Sequence, residues 1–211
     1  MKPLNLAEQA IHDLGHECWL LSGRIPQALT WDTAQFDEVW ALHPVKKHLV
    51  NMFGSPVETP RWQQAFGADY HYSGNVNQAL PIPSILEPLH TWVQETIESR
   101  LNGLLLNWYD GPAHYIGPHN DDTRDIVRET PIVTVSFGET RTYRLTRKVN
   151  DQKELRDFPA PHGTVFVMPL STNKAWKHGV PKSTKHIGRR ISVTFRAFER
   201  GALSRPTLKV A

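Results

Sequence analysis

Arg190-Ile191-Ser192-Val193-Thr194-Phe195-Arg196 reads as a strand with two unlike faces. Side chains alternate along extended chain, so Ile191, Val193 and Phe195 share one face while Arg190, Ser192, Thr194 and Arg196 share the other. The apolar face calls for a core against it. The other face carries two cations, and two readings of it stand side by side. One is an edge or surface strand with solvated arginines, since exposed arginine is ordinary. The other is the inner wall of a barrel that binds a molecule with two carboxylates, each held by planar guanidinium donors. On a straight strand the Cα atoms of the two arginines lie roughly 20 Å apart, so in the second reading their side chains lean toward each other to share a small dicarboxylate.

Upstream of this strand, from Leu101 onward, short strands alternate with turn residues: Leu104 to Tyr109, Pro131 to Phe137, Arg141 to Thr146 and Thr164 to Pro169, with the last running Arg190 to Phe198. No helix-length segment separates them, which predicts an antiparallel sandwich or jelly roll, mainly β, with helices packed outside it. The N-terminal half supplies those helices. Asp32 or Thr33 caps a run with Phe36, Val39 and Trp40 on one side, and Ser84 caps another with Ile85, Leu89, Trp92, Val93 and Ile97 at helical spacing. Between them, Val45 to Ser73 is rich in aromatic and β-branched residues broken by Gly54, Pro56, Pro60 and Gly67, and reads as short strands and loops.

The chain has 211 residues, 39% of them apolar, and a net charge of +3 with histidines neutral. That excludes a disordered or low-complexity chain and suits one domain without repeats. No apolar stretch is long enough to span a bilayer, and Met1 to Gln9 lacks a long apolar run behind a basic start, so the expectation is a cytoplasmic protein that meets no membrane. The single cysteine, Cys18, makes neither an internal disulfide nor a cysteine-based zinc site. An isoelectric point near 9.0 permits a polyanionic partner without demanding one.

Gly117-Pro118-His119-Asn120-Asp121 places a His and an Asp two apart after a turn signal, which is half of a metal site. A third ligand from a distant strand would complete the two-His, one-carboxylate facial triad of non-haem Fe(II) oxygenases. His178, in Trp176-Lys177-His178-Gly179-Val180, follows the apolar strand Val165 to Met168 and precedes the two-arginine strand, as a jelly-roll rim requires. His162 and His186 compete for the place, each beside a glycine or a basic turn.

These motifs, in this order over Phe53 to Phe198, resemble the AlkB-like dioxygenases, which use Fe(II), 2-oxoglutarate and O2. Asn107-Trp108-Tyr109-Asp110-Gly111 resembles that family's Asn-x-Tyr strand, His119-x-Asp121 its iron pair, and Pro131 to Gly138 its core strand. His178 is similar to its distal iron ligand and Arg190 to Arg196 to its closing Arg-x5-Arg strand. The resemblance implies a double-stranded β-helix with His119, Asp121 and His178 on iron. It implies Arg196 at the 1-carboxylate and Arg190 at the 5-carboxylate of 2-oxoglutarate, with Ser192 and Thr194 on the same wall and Asn107 and Tyr109 hydrogen-bonding the co-substrate. Asn107 and Tyr109 are two apart on a strand and so face one way. By the same resemblance the single domain divides into an N-terminal extension (1–45), a nucleotide-recognition lid and helix (46–100), the jelly-roll core (101–199) and a tail (200–211).

On the substrate side, Met52-Phe53-Gly54 is similar to the hydrophobic finger that duplex-acting members push into the base stack, and Thr59-Pro60-Arg61 to the segment after it. An apolar residue such as Phe53 is otherwise a core residue. Tyr70-His71-Tyr72-Ser73-Gly74 resembles the strand whose ring stacks on the target base, with Tyr72 on one side of that base and His119 on the other. Asp121-Asp122-Thr123-Arg124 departs from the pattern: several repair members have an acidic residue where this chain has Thr123. Lys46, Lys47, Arg61, Arg141, Lys177 and Lys182 are cations available for phosphates. The expectation is a monomeric dioxygenase that oxidatively demethylates alkylated bases in nucleic acid, DNA over RNA. Two rivals are a 2-oxoglutarate enzyme acting on a protein or small molecule, and a noncatalytic nucleic-acid-binding module.

Overall fold

The computed structural model describes residues 4–52, 55–72, 75–185 and 187–199. An eight-stranded sheet runs in the order Ala7–Asp13, Trp19–Arg24, Thr164–Met168, Ile132–Gly138, Arg189–Arg196, Gly103–Asp110, Trp62–Phe66 and Ala79–Leu80. Every pairing in it is antiparallel except the last, Trp62–Phe66 with Ala79–Leu80. A four-stranded antiparallel sheet follows the order Ile116–His119, Lys177–Val180, Arg141–Val149 and Gln152–Ala160. Two hairpins, Leu49–Met52 with Ser55–Glu58 and Tyr70–Tyr72 with Asn75–Asn77, stand apart from both sheets. This is the jelly-roll core that the strand spacing predicts. No described helix is long and apolar enough to cross a membrane.

Register explains how the two-faced strand is used. Across the large sheet Val135 lies opposite Val193 and Val193 opposite Leu106, while Phe137, Ile191 and Trp108 form the next row on the same face. That face packs against Phe36 and Val39 of the helix Thr33–Trp40 and Leu89 and Val93 of the helix Glu87–Thr96, all buried. Trp108 is fully buried and donates its indole N–H to the Val39 carbonyl at 3.0 Å, so the largest side chain of the row leaves no polar atom unpaired. The opposite face looks toward the four-stranded sheet. A second apolar cluster, including Leu20, Leu145, Phe166 and Trp176, holds the two sheets together at one side, and the polar residues of the inner face surround the space that remains.

Asp32 caps the first helix as expected, in a reciprocal capping box with Gln35. Ser84 does not cap the second. It opens a 3-10 turn, Ser84–Leu86, and the helix itself starts at Glu87 with Pro88 in its first turn, where the missing N–H costs nothing. Residues 7–24, within the segment read as an extension, add two strands to the large sheet. Ala7–Asp13 is an exposed edge strand with a register shift between Ala7 and Ala10, a break that blunts further pairing.

Gly138 closes the row that contains Arg190 and lies directly opposite it. Its φ is +82°, and a Cβ there would sit 2.4 Å from the Arg189 carbonyl oxygen. Gly138→Ala is expected to cost roughly 1–3 kcal/mol, from left-handed strain plus the displaced strand. Urea denaturation of the variant beside the parent checks this.

Candidate functional site

His119 and His178 lie directly opposite each other on neighbouring antiparallel strands, which puts their side chains on one face with ring centroids 4.3 Å apart. Asp121 follows two residues after the strand end. Its Oδ1 is 3.7 Å from the Nε2 of each histidine. His119 Nδ1 lies 2.9 Å from the Gly117 carbonyl, and donation there leaves the Nε2 lone pair facing inward. Burial and the neighbouring His178 push His119 down to about 3, and burial lowers His178 as well, so both are neutral imidazoles at pH 7. Burial alone would raise the Asp121 carboxyl, but Arg196, His178 and His119 overturn that and hold it well below the usual carboxylate range. Arg196 donates Nε and Nη2 to Asp121 Oδ2 at 2.9 and 2.7 Å, and the Tyr70 hydroxyl donates to Oδ1 at 3.1 Å. Two neutral nitrogens and one carboxylate oxygen thus converge, with all ligand atoms within 4.8 Å of one another, the only such convergence of three or more His, Cys, Asp or Glu among the described residues. That donor set fits Fe(II) in a facial triad and leaves the remaining positions to other molecules.

Asn173, buried in the short helix Leu170–Ala175, fixes the carboxylate ligand from behind. Its Oδ1 accepts from the Asp121 N–H at 2.9 Å, and its Nδ2 donates to the Asp121 carbonyl at 3.1 Å. Asn120 donates to the Asn173 and Trp176 carbonyls, so the whole His119–Asp121 turn is tied to this helix. Asn173→Ala is expected to weaken iron affinity by about 10–100-fold, the usual effect of losing a support of a metal ligand. Chelator competition measures this, and Asn173→Asp, which keeps only the acceptor, should fall between the variant and the parent.

The residues expected at the co-substrate lie on the inner face of the large sheet. Ser136, Ser192, Asn107 and Gln63 form one continuous row across four strands, and Arg190 with Tyr109 begins the row beside it. Arg190 is almost completely buried, packs 4.9 Å over the Tyr109 ring, and donates Nη2 to Ser136 at 2.8 Å. Its Nε and Nη1 are buried with no hydrogen-bond partner, and none of the ion pairs among the described residues supplies it a carboxylate. A buried guanidinium with unpartnered N–H donors fits an anionic acceptor such as a carboxylate. Arg190, Ser192, Thr194, Arg196, Asn107 and Tyr109, all expected at the co-substrate, line the same pocket as His119, Asp121 and His178.

Other expected residues are placed differently. Arg61 and Arg141 are not surface cations awaiting phosphates. Arg61 is buried against the pocket and donates to Asn107 Oδ1 at 2.6 Å and to Gln63 at 3.0 Å; Gln63 in turn donates to Asn77 at 3.2 Å. Arg141 is spent on the carbonyls of Gly111, His114 and Pro181. Tyr70 is buried with its hydroxyl on Asp121 and its ring under Arg196, 4.4 Å from the guanidinium carbon. Asp122 pairs with Arg124 at 3.0 Å, and Thr123 is exposed beside Asp121 and Asn173 in an adjoining groove. His162 accepts from the Gly138 N–H, away from the triad. Phe53, Ser73 and His186 lie outside the described residues, as does the Tyr72 side chain. Tyr143, stacked near His178, and Gln63 line the pocket without a signal of their own. Alternation on the strands Arg141–Val149 and Trp62–Phe66 marks both as inward once the barrel is known.

Comparison with known proteins bears on this geometry. The model of the 2OG-Fe(II) oxygenase superfamily matches residues 25–196. The human DNA oxidative demethylase ALKBH2 is 30% identical over 156 residues, covering 70% of this chain and 60% of its own length. The human alpha-ketoglutarate-dependent dioxygenase alkB homolog 3 is 30% identical over 119 residues, covering 53% of this chain and 42% of its own. The chain thus spans less than two thirds of the curated relatives it matches. The solved structure of OsALKBH1 superimposes with a TM-score of 0.54 at 16% identity, over 89% of this chain and 99% of that one, which supports the fold alone.

Proposed function

Since the chain belongs to the 2OG-Fe(II) oxygenase superfamily, we propose that it is a dioxygenase that oxidatively demethylates alkylated bases in nucleic acid, DNA in preference to RNA. The observation that carries the reading is one pocket holding His119, Asp121 and His178 together with the spare donors of Arg190. The names of the relatives ALKBH2 support the substrate class.

The three ligands hold the metal. Bound Fe(II) and 2-oxoglutarate supply oxygen activation, one oxygen atom of O2 leaving in succinate with release of CO2 and the other entering a substrate C–H bond. Arg190 would hold the 5-carboxylate with its unpartnered donors, while Ser136 fixes the guanidinium at Nη2. Arg196 orients Asp121 through Nε and Nη2, and its charge would face the 1-carboxylate end of the co-substrate beside that ligand. Asn107 is locked by Arg61, so its side chain stands ready without reorganising, which is how a preformed polar site lowers the cost of binding. When the hydroxylated carbon is a methyl on a base nitrogen, the hydroxymethyl product falls apart to formaldehyde and the unmodified base. The protein works as a monomer in a reducing cytoplasm, in keeping with one buried free thiol, Cys18.

The test loads the protein anaerobically with Fe(II), then adds 2-oxoglutarate, O2 and a panel of methylated DNA and RNA oligonucleotides read by mass. Succinate and formaldehyde in equal amounts, with demethylated DNA product, are expected. Succinate without any change in the oligonucleotides would refute the substrate assignment, and no succinate under any condition would refute the enzyme.

A further inference from the structure

Beside the metal site the protein carries a groove of about 440 Å³ whose cations come from separate elements: Arg147, Lys148 and Lys153 from the hairpin Arg141–Val149/Gln152–Ala160, Lys174 from the short helix, and Lys177 from the strand of His178. No carboxylate lines it. Arg147 is paired with Glu154 and Lys148 with Asp151, but Lys153, Lys174 and Lys177 have no ionic partner among the described residues.

The charge is also arranged at a cost to the fold. Lys148 and Lys153 lie directly opposite each other across the hairpin. Like charges at such positions repel and destabilise a two-stranded pair. A surface lysine that merely keeps the protein soluble has no need of that register.

The groove's position supplies the occupant. Pro118 and Asn120, which bracket His119, line it, and Asn120 with Lys174 also lines the adjoining groove that includes Asp121 and Thr123. The cationic groove therefore adjoins the metal ligands, the two grooves sharing Asn120 and Lys174.

We propose that this groove is a track that holds the phosphodiester backbone of the nucleotides flanking the target base, with Lys153, Lys174 and Lys177 as the phosphate contacts. The inference rests on the nucleic-acid reading above and adds to it the path of the strand. Such contacts position the chain and carry no sequence information.

The experiment measures binding of a fluorescein-labelled, unmethylated single-stranded 12-mer by anisotropy over a range of salt concentrations, using the full chain. Each phosphate contact on a single strand contributes roughly 0.7 to the slope of log affinity against log salt. Lys153→Glu and Lys177→Glu are each expected to lower the slope by about that amount, and the double variant to bind at least tenfold more weakly at low salt. Arg100→Glu, the same charge change on the far loop after the second helix, should leave the slope unchanged. Lys153→Glu sets an acid opposite Lys148, so its melting temperature should hold or rise while binding falls, which separates lost contact from lost fold. If the parent binds and the groove variants match Arg100→Glu in slope and affinity, the track is wrong and the nucleic-acid reading stands. If the parent fails to bind the oligonucleotide at low salt, that reading falls and the track with it.

Discussion

Replacing His178 with alanine abolishes stoichiometric Fe(II) binding and all turnover. His178 Nε2 is one of two imidazole nitrogens placed symmetrically 3.7 Å from Asp121 Oδ1, and the buried pocket has no other His, Cys or acid to take its place. With two ligands left, the site keeps one neutral nitrogen and one carboxylate whose charge is already neutralised by Arg196. His162→Ala removes an imidazole bound to the Gly138 N–H on the other side of the sheet and should leave iron binding intact, at the cost of one hydrogen bond. The measurement is iron content after gel filtration, beside succinate formation. A His178→Ala protein that retains one iron and turns over would remove the triad.

The parts of this site legible in the sequence are those whose spacing is local. Alternation assigns Arg190, Ser192, Thr194 and Arg196 to one face, and register confirms it with Ser192 between Ser136 and Asn107. His119 and Asp121 are two apart and need only a strand end between them. Arg61 is a different matter. Arginine is usually a surface residue, so sequence alone assigns it to phosphates, and only the amide acceptors of Asn107, on the neighbouring strand, and Gln63, two residues on, make its burial affordable. Asn173 is invisible for the same reason, because its partner is the backbone of a residue 52 positions away. The strand Gln152–Ala160 carries Lys153, Glu154, Arg156 and Asp157, so it has no apolar alternation to announce it. It is held by its nine-position register with Arg141–Val149, including the Arg144–Asp157 ion pair.

Arg190→Lys and Arg196→Lys should part company, although both keep the charge. Arg190 bonds Ser136 and packs on Tyr109, not on the metal ligands, and its Nε and Nη1 have no partner. Lysine there loses the planar fork, and a charge-assisted hydrogen bond is worth about 1.5–3 kcal/mol, or roughly 10–100-fold in 2-oxoglutarate affinity, with iron binding unaffected. Because those donors satisfy nothing within the protein, the variant without co-substrate should melt close to the parent, and the loss should show as a smaller rise in melting temperature when 2-oxoglutarate is added, since a ligand stabilises only the state it binds. Arg196 instead clamps Asp121 Oδ2 with two nitrogens, and lysine replaces that pair by a single point contact. Its variant should lose affinity for both metal and co-substrate. Anaerobic titration followed by metal-to-ligand absorption, beside chelator competition for iron, resolves the two effects. If Arg190→Lys binds 2-oxoglutarate as the parent does, the buried fork is not the seat of the carboxylate. If Arg196→Lys binds iron undiminished, the ion pair does not position the ligand.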